Sequence, residues 1–176
     1  MASDLRYTEI LPYEKQVEML CSKGFALWDV VQSCRRKGSL DQNIIDDTPN
    51  DIRGFCLEHS SIQRIVFSNG FTTCVKFKRH FAAWLDSGEV VPSDHPQSQL
   101  AFKKWSKSTG RHGNNHGRRI ICISALAVSP AAAKFTYREK RDFWEEYVYG
   151  PGLQDFEEQQ QAAIIHPGDT ERKKLP

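Results

Sequence analysis

Polar and basic side chains follow three apolar segments of this chain, at the points where each segment ends. In chain order they are Asp29, Gln32, Ser33, Arg35 and Arg36; then Ser68, Asn69 and Gly70; then Ser129, Pro130, Ala131, Ala132 and Ala133. Amides, hydroxyls and carboxylates form specific hydrogen bonds, and small residues let a backbone approach a flat ligand or a phosphate closely. Glycine-rich dinucleotide loops, phosphate loops, zinc helices and the G-x-S-x-G motif do not occur in the sequence. Ordinary turns between strands and helices are the alternative interpretation.

The elements that must position these residues alternate between strands and helices. Apolar runs predict strands over residues 25–31, 62–68 and 120–128. Helical spacing and start signals predict helices over residues 12–23, 48–58, 72–85 and 137–148, with shorter helices starting at Ser39 or Asp41 and over residues 97–106. This order predicts an α/β fold with a parallel sheet, in which ligands bind at the carboxyl ends of the strands.

The length of 176 residues predicts one domain, over residues 1–153, followed by a polar, frayed C-terminal tail over residues 154–176. Residues 86–118 have little apolar periodicity and are predicted to form a long inserted loop. Every charged residue from Lys103 to Arg119, including Arg118, is basic, so this block would attract phosphate; a solvated loop is the alternative.

Composition excludes two classes of protein. No apolar stretch approaches the roughly 20 residues of a membrane span, and the N-terminus has no secretory signal, so no membrane partner is expected. The five cysteines have neither metal-ligand nor C-x-x-C spacing. They predict reduced thiols, mostly in the core, of an intracellular protein.

Four segments together resemble the uracil-DNA glycosylase superfamily, and most of all its hypoxanthine-DNA (deoxyinosine) glycosylase-like branch. They are GFALWDVVQSCRRKGSLDQNI from residue 24, then PNDI, IVFSNG and VSPAAAKFTYREKRDFW. The resemblance spans residues 11–153 and is interrupted by the insert at 86–118. It implies a three-layer α/β/α sandwich with a short parallel sheet, from which the first central strand is missing.

The resemblance implies a base-excision repair enzyme of double-stranded DNA. Such enzymes flip a deaminated base, uracil or hypoxanthine, out of the duplex and hydrolyse its N-glycosidic bond through an oxocarbenium-like sugar. No metal or cofactor is required. Because the implied substrate is DNA, we expect the protein in the nucleus or another DNA-containing compartment. We also expect it to be a monomer.

Site residues carry over from the family as follows. Asp29 lies where uracil-specific relatives have a base-reading asparagine, and an ionised carboxylate can only accept hydrogen bonds, which argues against strict uracil specificity. Asp29, Ser33, Asn69 and Gly70 are the predicted base pocket. Contacts to the DNA backbone are assigned to Arg35, Arg36, Arg118, Arg119, Ser129, Pro130, Ala131 and Ala132. Alternatively, Asp29 caps a turn or pairs with Arg35, Asn69 is only a turn residue, and Ser129-Pro130 only ends a strand.

Two departures from the family bear on catalysis. Ala127 stands where uracil-specific relatives have a histidine, although several branches lack it. The family's first motif, which supplies the residue that positions the attacking water, is absent from this chain. That motif lies on the first strand of the family's four-stranded sheet. The strand order of that sheet is 2-1-3-4, so the first strand is central. Without it, the strands predicted at 25–31 and 62–68 would flank a gap or pair elsewhere.

Three hypotheses follow from these observations. The chain is a DNA glycosylase or its C-terminal part, with its first motif supplied upstream; or it is a DNA-binding relative that has lost catalysis. The third hypothesis is a scaffold for protein assembly, with Trp84, Trp105 and the tail as contacts.

Overall fold

The computed structural model describes residues 11–38, 43–105, 118–129 and 133–165. The chain divides into two compact units, Met1–Ala26 with Trp144–Pro176, and Leu27–Phe143. The second unit mixes helices with a three-stranded parallel sheet, which confirms the predicted α/β class at this level.

The parallel sheet consists of β3 (Arg64–Phe67), β4 (Val90–Pro92) and β5 (Ile120–Ser124), in the order β3-β5-β4. The predicted strands at 62–68 and 120–128 are confirmed in β3 and β5. β4 lies in the segment predicted as a long loop, because a three-residue strand is too short to give a periodic signal. The short helix predicted over residues 97–106 is found as α5 (Pro96–Ala101). β5 is the central strand and is buried along almost its whole length, as expected for its apolar sequence IICIS.

Helices α2 (Ile52–Glu58), α3 (Phe71–His80) and α4 (Ala82–Asp86) supply most of the remaining core. Phe67 of β3 packs against Phe77 of α3 and against Phe102, with ring centroids 5.0 and 5.6 Å apart. The single helix predicted over 72–85 kinks at Phe81, whose φ is −117°, but its hydrogen bonds to Phe77 and Leu85 continue through the kink.

The prediction of a strand at residues 25–31 is wrong. A polar strand, β1 (Val31–Arg36), pairs instead with β2 (Ile44–Pro49) in an antiparallel hairpin. Trp28 turns its ring onto Phe55 of α2, with centroids 5.0 Å apart, so this residue packs on a helix rather than joining the sheet.

The helix predicted to start at Ser39 or Asp41 is also not found. Both start residues lie outside the described residues, and the residues that would continue such a helix, 44–49, form β2. The helix predicted from residue 48 begins instead at Ile52, because Asp51 is its N-cap: the Asp51 carboxylate accepts a hydrogen bond from the Gly54 N–H at 2.9 Å. The helix predicted at 137–148 begins as expected, in α6 (Tyr137–Trp144).

The other unit contains α1 (Tyr13–Ser22), a π-helical turn (Glu145–Tyr149) and α7 (Gly150–Ile165). The helix predicted to end at residue 148 does not end there, because the π-helical turn runs to Tyr149 and α7 follows from Gly150, with Pro151 in its first turn. Residues 154–165, predicted as a frayed tail, are helical, and no break marks the predicted boundary at 153. Gly24 adopts φ +78° after α1, beneath the ring of Phe156, where a Cβ would lie 2.5 Å from that ring.

Candidate functional site

The turn between β3 and α3 carries two of the predicted base-pocket residues. Gly70 adopts φ 60° and ψ −132°, a conformation that side-chain-bearing residues rarely take. A Cβ on Gly70 would lie 3.0 Å from the Ala125 carbonyl oxygen, so the turn is in close contact with the residues that follow β5. Asn69, directly before it, is exposed. The structure therefore brings Asn69 and Gly70 together with the exit of β5, at the carboxyl edge of the sheet.

The exit of β5 is held from the other side by α5. The Gln97 Nε2 group donates to the carbonyl oxygens of Ser124 and Ala125 at 2.9 and 3.0 Å. The buried Ser98 hydroxyl accepts a hydrogen bond from the Ser124 N–H at 3.0 Å. Sequence reasoning missed these two residues because it placed Gln97 at the start of a short helix in a loop and gave neither residue a role.

A usable signal for α5 was present directly before the predicted start at residue 97. Pro96 occupies the first turn of the helix, and His95 caps it, since the His95 Nδ1 atom accepts a hydrogen bond from the Gln97 N–H at 3.1 Å. A polar residue followed by proline is a helix start signal, and it places Gln97 and Ser98 in the first turn, beside the sheet.

The predicted Ser129-Pro130 loop is described only in part. Ser129 is half-buried, and its carbonyl oxygen accepts a hydrogen bond from the Lys140 ammonium group at 3.1 Å. Pro130, Ala131 and Ala132 lie outside the described residues. Their assignment to DNA contacts stays a prediction.

Asp29 and Ser33, the other two predicted pocket residues, make their contacts elsewhere. The Asp29 carbonyl oxygen accepts from the Asn50 side-chain amide at 2.8 Å, and the Ser33 hydroxyl lies 2.6 Å from the Thr48 hydroxyl. Both residues are exposed. Within the described part of the chain, no hydrogen bond or ion pair joins either of them to Asn69.

Arg35 and Arg36 lie on the exposed strand β1 of the hairpin. The Arg35 guanidinium forms an ion pair with Asp46 of β2, so the alternative pairing of Asp29 with Arg35 is not what the structure contains. The pair leaves the side chains of Arg35 and Asp46 75% and 62% exposed, so the guanidinium remains open to a phosphate. The hairpin therefore presents basic groups to solvent, and the assignment of Arg35 and Arg36 to DNA contacts stays a prediction.

A buried carboxylate anchors the hairpin to α3. The Asp47 side chain is only 2% exposed and is contacted by three basic residues at the end of α3. Its oxygens lie 3.3 Å from the Lys76 ammonium and 3.0 Å from the His80 Nε2 atom, and they pair with the Arg79 guanidinium. Ten residues of helix span about 15 Å, so this anchor and the Asn69-Gly70 turn lie at opposite ends of α3.

Arg118 has a contact that its predicted role did not include. Its guanidinium donates to the carbonyl oxygens of Cys56 at 2.8 Å, of His59 at 3.3 Å and of Ile62, at and just beyond the end of α2. A cation at a helix C-terminus satisfies carbonyls that have no partner within the helix. Arg119 beside it is exposed.

Three of the five cysteines lie in the core, as predicted, and two do not. Burial raises the pKa of the Cys74 thiol to about 11, against smaller opposing effects of the Ser124 hydroxyl and Lys78. Burial also raises the pKa of Cys122 and Cys56. Cys21 and Cys34 are exposed.

These differences predict the accessibility of each thiol. We expect an aromatic disulfide reagent at pH 8 to modify Cys21 and Cys34 in the folded protein, and Cys56, Cys74 and Cys122 only after unfolding, because buried thiols neither ionise nor meet the reagent. Peptide mass mapping before and after adding denaturant checks this. Fast labelling of Cys122 in the native protein would contradict the described core.

The scaffold hypothesis loses one of its contacts. Trp84 is 4% exposed, packs among Phe77 and Phe81, and donates its indole N–H to the Glu89 carboxylate at 2.8 Å. Trp84 is therefore a core residue. Trp105 is half-buried, and its indole N–H donates to Asp86 at 2.7 Å.

Two further findings concern the described residues only. No group of three or more histidine, cysteine or acidic side chains among them could hold a metal ion. None of their helices has the length and apolarity needed to cross a membrane.

No protein-family model, no curated protein and no solved structure matches the chain.

Proposed function

We propose that this chain is the DNA-binding and base-binding part of a base-excision glycosylase of the uracil-DNA glycosylase type. Its substrate is duplex DNA carrying uracil or hypoxanthine. The first-motif residue that positions the attacking water is supplied by a segment outside this sequence. A DNA-binding relative without catalysis is the alternative, and the experiments below distinguish the two.

One observation carries the proposal. The Asn69-Gly70 turn and the exit of β5 meet at the carboxyl edge of parallel strands, with Gly70 against the Ala125 carbonyl. Ligands bind at this edge in open parallel sheets. Asn69 is exposed there and offers both a donor and an acceptor, the combination that pairs with a base edge.

The unpaired edge of β3 supports the same proposal. Within the described residues β3 pairs only with β5, so the opposite edge of β3 has no neighbouring strand. The resemblance requires an additional strand next to the strand that ends in Ser68-Asn69-Gly70. A strand added on this edge would end beside Asn69, and would bring its own first-motif residue to the flipped base.

The proposed chemistry divides between this chain and the added strand. Hydrolysis breaks the bond between the sugar C1′ atom and the base nitrogen, water adds to C1′, and the base leaves after taking up a proton. In this proposal, Asn69 and the backbone at Gly70 hold the base, and the added strand positions the water. Arg35 and Arg36 hold the DNA backbone, which fixes position without reading sequence.

Binding and catalysis are tested separately. Fluorescence anisotropy with matched duplexes, containing U·G, hypoxanthine·T or no lesion, measures binding by this chain alone. We expect the lesion duplexes to bind several-fold more tightly, because a mismatched base costs less to unstack. Asn69→Ala is expected to reduce this preference, whereas Asn43→Ala, in the hairpin, is the matched control. Equal affinity for all three duplexes would contradict a base pocket.

Base release is measured with the native protein purified from its own cells, by alkaline cleavage of the abasic product. The same preparation gives an intact mass. Base release together with a mass above 20.2 kDa supports the glycosylase. Lesion-specific binding without base release supports the non-catalytic relative, and the absence of DNA binding at low salt supports the scaffold.

The two arginines of β1 give a prediction of their own. We expect Arg35→Ala with Arg36→Ala to weaken duplex binding and to reduce the slope of log affinity against log salt concentration by about 1.8, since each phosphate contact contributes about 0.9. Lys15→Ala with Arg138→Ala is the control, because both cations are exposed and lie outside the predicted site. An unchanged slope in the β1 variant would remove the arginines from the interface.

A further inference from the structure

The turn that carries Asn69 and Gly70 continues directly into an exposed aromatic residue. Phe71 is the first residue of α3 and is 57% exposed. Among the described residues 68–71, 93–95 and 125–129, which follow the three parallel strands, it is the only exposed aromatic residue. The carboxyl edge of the sheet therefore offers one flat apolar surface, and this surface lies next to the amide of Asn69.

A lysine holds the ring of Phe71 from one face. Lys78, two turns further along α3, places its ammonium group 5.1 Å from the centroid of the Phe71 ring, and a cation over an aromatic face attracts the ring. The same ammonium donates to the Ala101 carbonyl oxygen at 2.5 Å and lies 5.8 Å from the centroid of the buried Phe102 ring. Lys78 therefore ties the ring to the end of α5, which reduces the freedom that the ring would lose on binding a ligand.

The opposite face of the Phe71 ring is open to a ligand. Lys78 occupies one face only, and more than half of the residue remains exposed. Aromatic rings pack against one another in offset stacks, and every nucleobase has a face that stacks on an aromatic side chain. A ring that is held from behind and free in front is therefore suited to stack on a base.

Asn69 and Phe71 are close enough to contact the same base. They flank Gly70, so their Cα atoms lie at most about 7 Å apart. The Ala125 carbonyl oxygen lies against Gly70 and confines the turn between them. We infer that Phe71 stacks on the base with which Asn69 pairs, so that the turn recognises both the edge and the face of that base. This inference rests on the proposed function and adds a residue that sets which base is held most tightly.

Removal of the ring tests the stacking. We expect Phe71→Leu, which keeps an apolar side chain, to weaken binding of the hypoxanthine·T duplex about 5- to 140-fold, the range for one base stacked on an aromatic residue. The U·G duplex should lose less, because a pyrimidine covers less of the ring than a purine does. The lesion-free duplex should bind as tightly as it binds to the wild type. Fluorescence anisotropy measures the three affinities, and circular dichroism checks that the variant is folded.

Two further variants serve as controls. Phe71→Tyr keeps the ring and should bind all three duplexes like the wild type. Val75→Ala removes a 45% exposed apolar side chain one turn further along α3, and it should also leave the three affinities unchanged. If Phe71→Leu binds the hypoxanthine·T duplex as tightly as the wild type, or loses as much affinity for the lesion-free duplex, the inference is overturned. Lesion preference in the wild type would then still support the proposed function.

A second measurement needs no duplex. Inosine, the nucleoside of hypoxanthine, is added at millimolar concentration to the wild type, and the Phe71 ring protons are followed by NMR. Stacked rings shift each other's protons upfield, so we expect an upfield shift with inosine and none with ribose phosphate. The absence of a shift with inosine would overturn the inference. A shift with inosine, combined with equal affinity for the three duplexes, would keep the base site and reject the proposed action on DNA.

Discussion

Replacing Asp47 with asparagine is expected to lower the free energy of unfolding by about 3–5 kcal/mol, the usual cost of removing one partner of a buried ion pair. Asparagine has nearly the same shape, so the packing of the hairpin on α3 is kept. Lys76 and His80, which are 18% and 14% exposed, would lose the carboxylate that they face. Urea denaturation followed by circular dichroism at pH 7.5 measures the change.

The neighbouring residue provides a matched control. Asp46 also forms an ion pair from β2, but both partners are more than half exposed, and such pairs contribute about 0–1 kcal/mol. Asp46→Asn keeps a residue that tolerates its φ of 50°. Equal losses in Asp46→Asn and Asp47→Asn would mean that burial does not distinguish the two carboxylates, and the anchor would have to be rejected.

Gly70→Ala is the second substitution with a large expected effect. The backbone conformation alone costs about 1–3 kcal/mol for a residue with a side chain. The new Cβ would also lie 3.0 Å from the Ala125 carbonyl oxygen, so the exit of β5 would have to move. We expect a loss of unfolding free energy at the upper end of this range, measured in the same urea experiment.

Gly38→Ala separates the two causes. Gly38 has φ +75°, and nothing lies within 4 Å of its Cβ position, so this variant has only the conformational cost. Gly70→Ala should therefore be the more destabilised of the two. If Gly38→Ala is as destabilised as Gly70→Ala, the contact between the turn and the exit of β5 contributes nothing.

Two of the three strands of the parallel sheet, β3 and β5, could be predicted from sequence because they are local apolar runs between turn residues. β-branched residues occur in both strands, in the sequence IVF of β3 and IICIS of β5. The Asn69-Gly70 turn follows β3. The residues at the ends of these strands were found for the same reason. Asn69 and Gly70 needed only the position of the strand and the rule that ligands bind at its carboxyl end.

The hairpin and its anchor could not be predicted in this way. The apolar run at 25–31 has the composition of a buried strand, but Trp28 packs on Phe55 and the polar residues after it form β1. Asp47 meets Lys76, Arg79 and His80 only because the hairpin folds onto α3. The pairing joins residues about thirty positions apart, and no local periodicity records a contact of that kind.

Among the described residues one edge of β3 has no partner strand, and this has a consequence for the behaviour of the protein at high concentration. An exposed strand edge is a template on which any extended chain can add hydrogen bonds, including the same strand of another molecule. β3 is short, and Arg64 is its only charged residue, while its next three residues are apolar. Self-association through this edge is therefore an expected hazard of the isolated chain. Val66→Lys would be the simplest substitution to reduce this self-association, since charged edge residues oppose pairing between molecules.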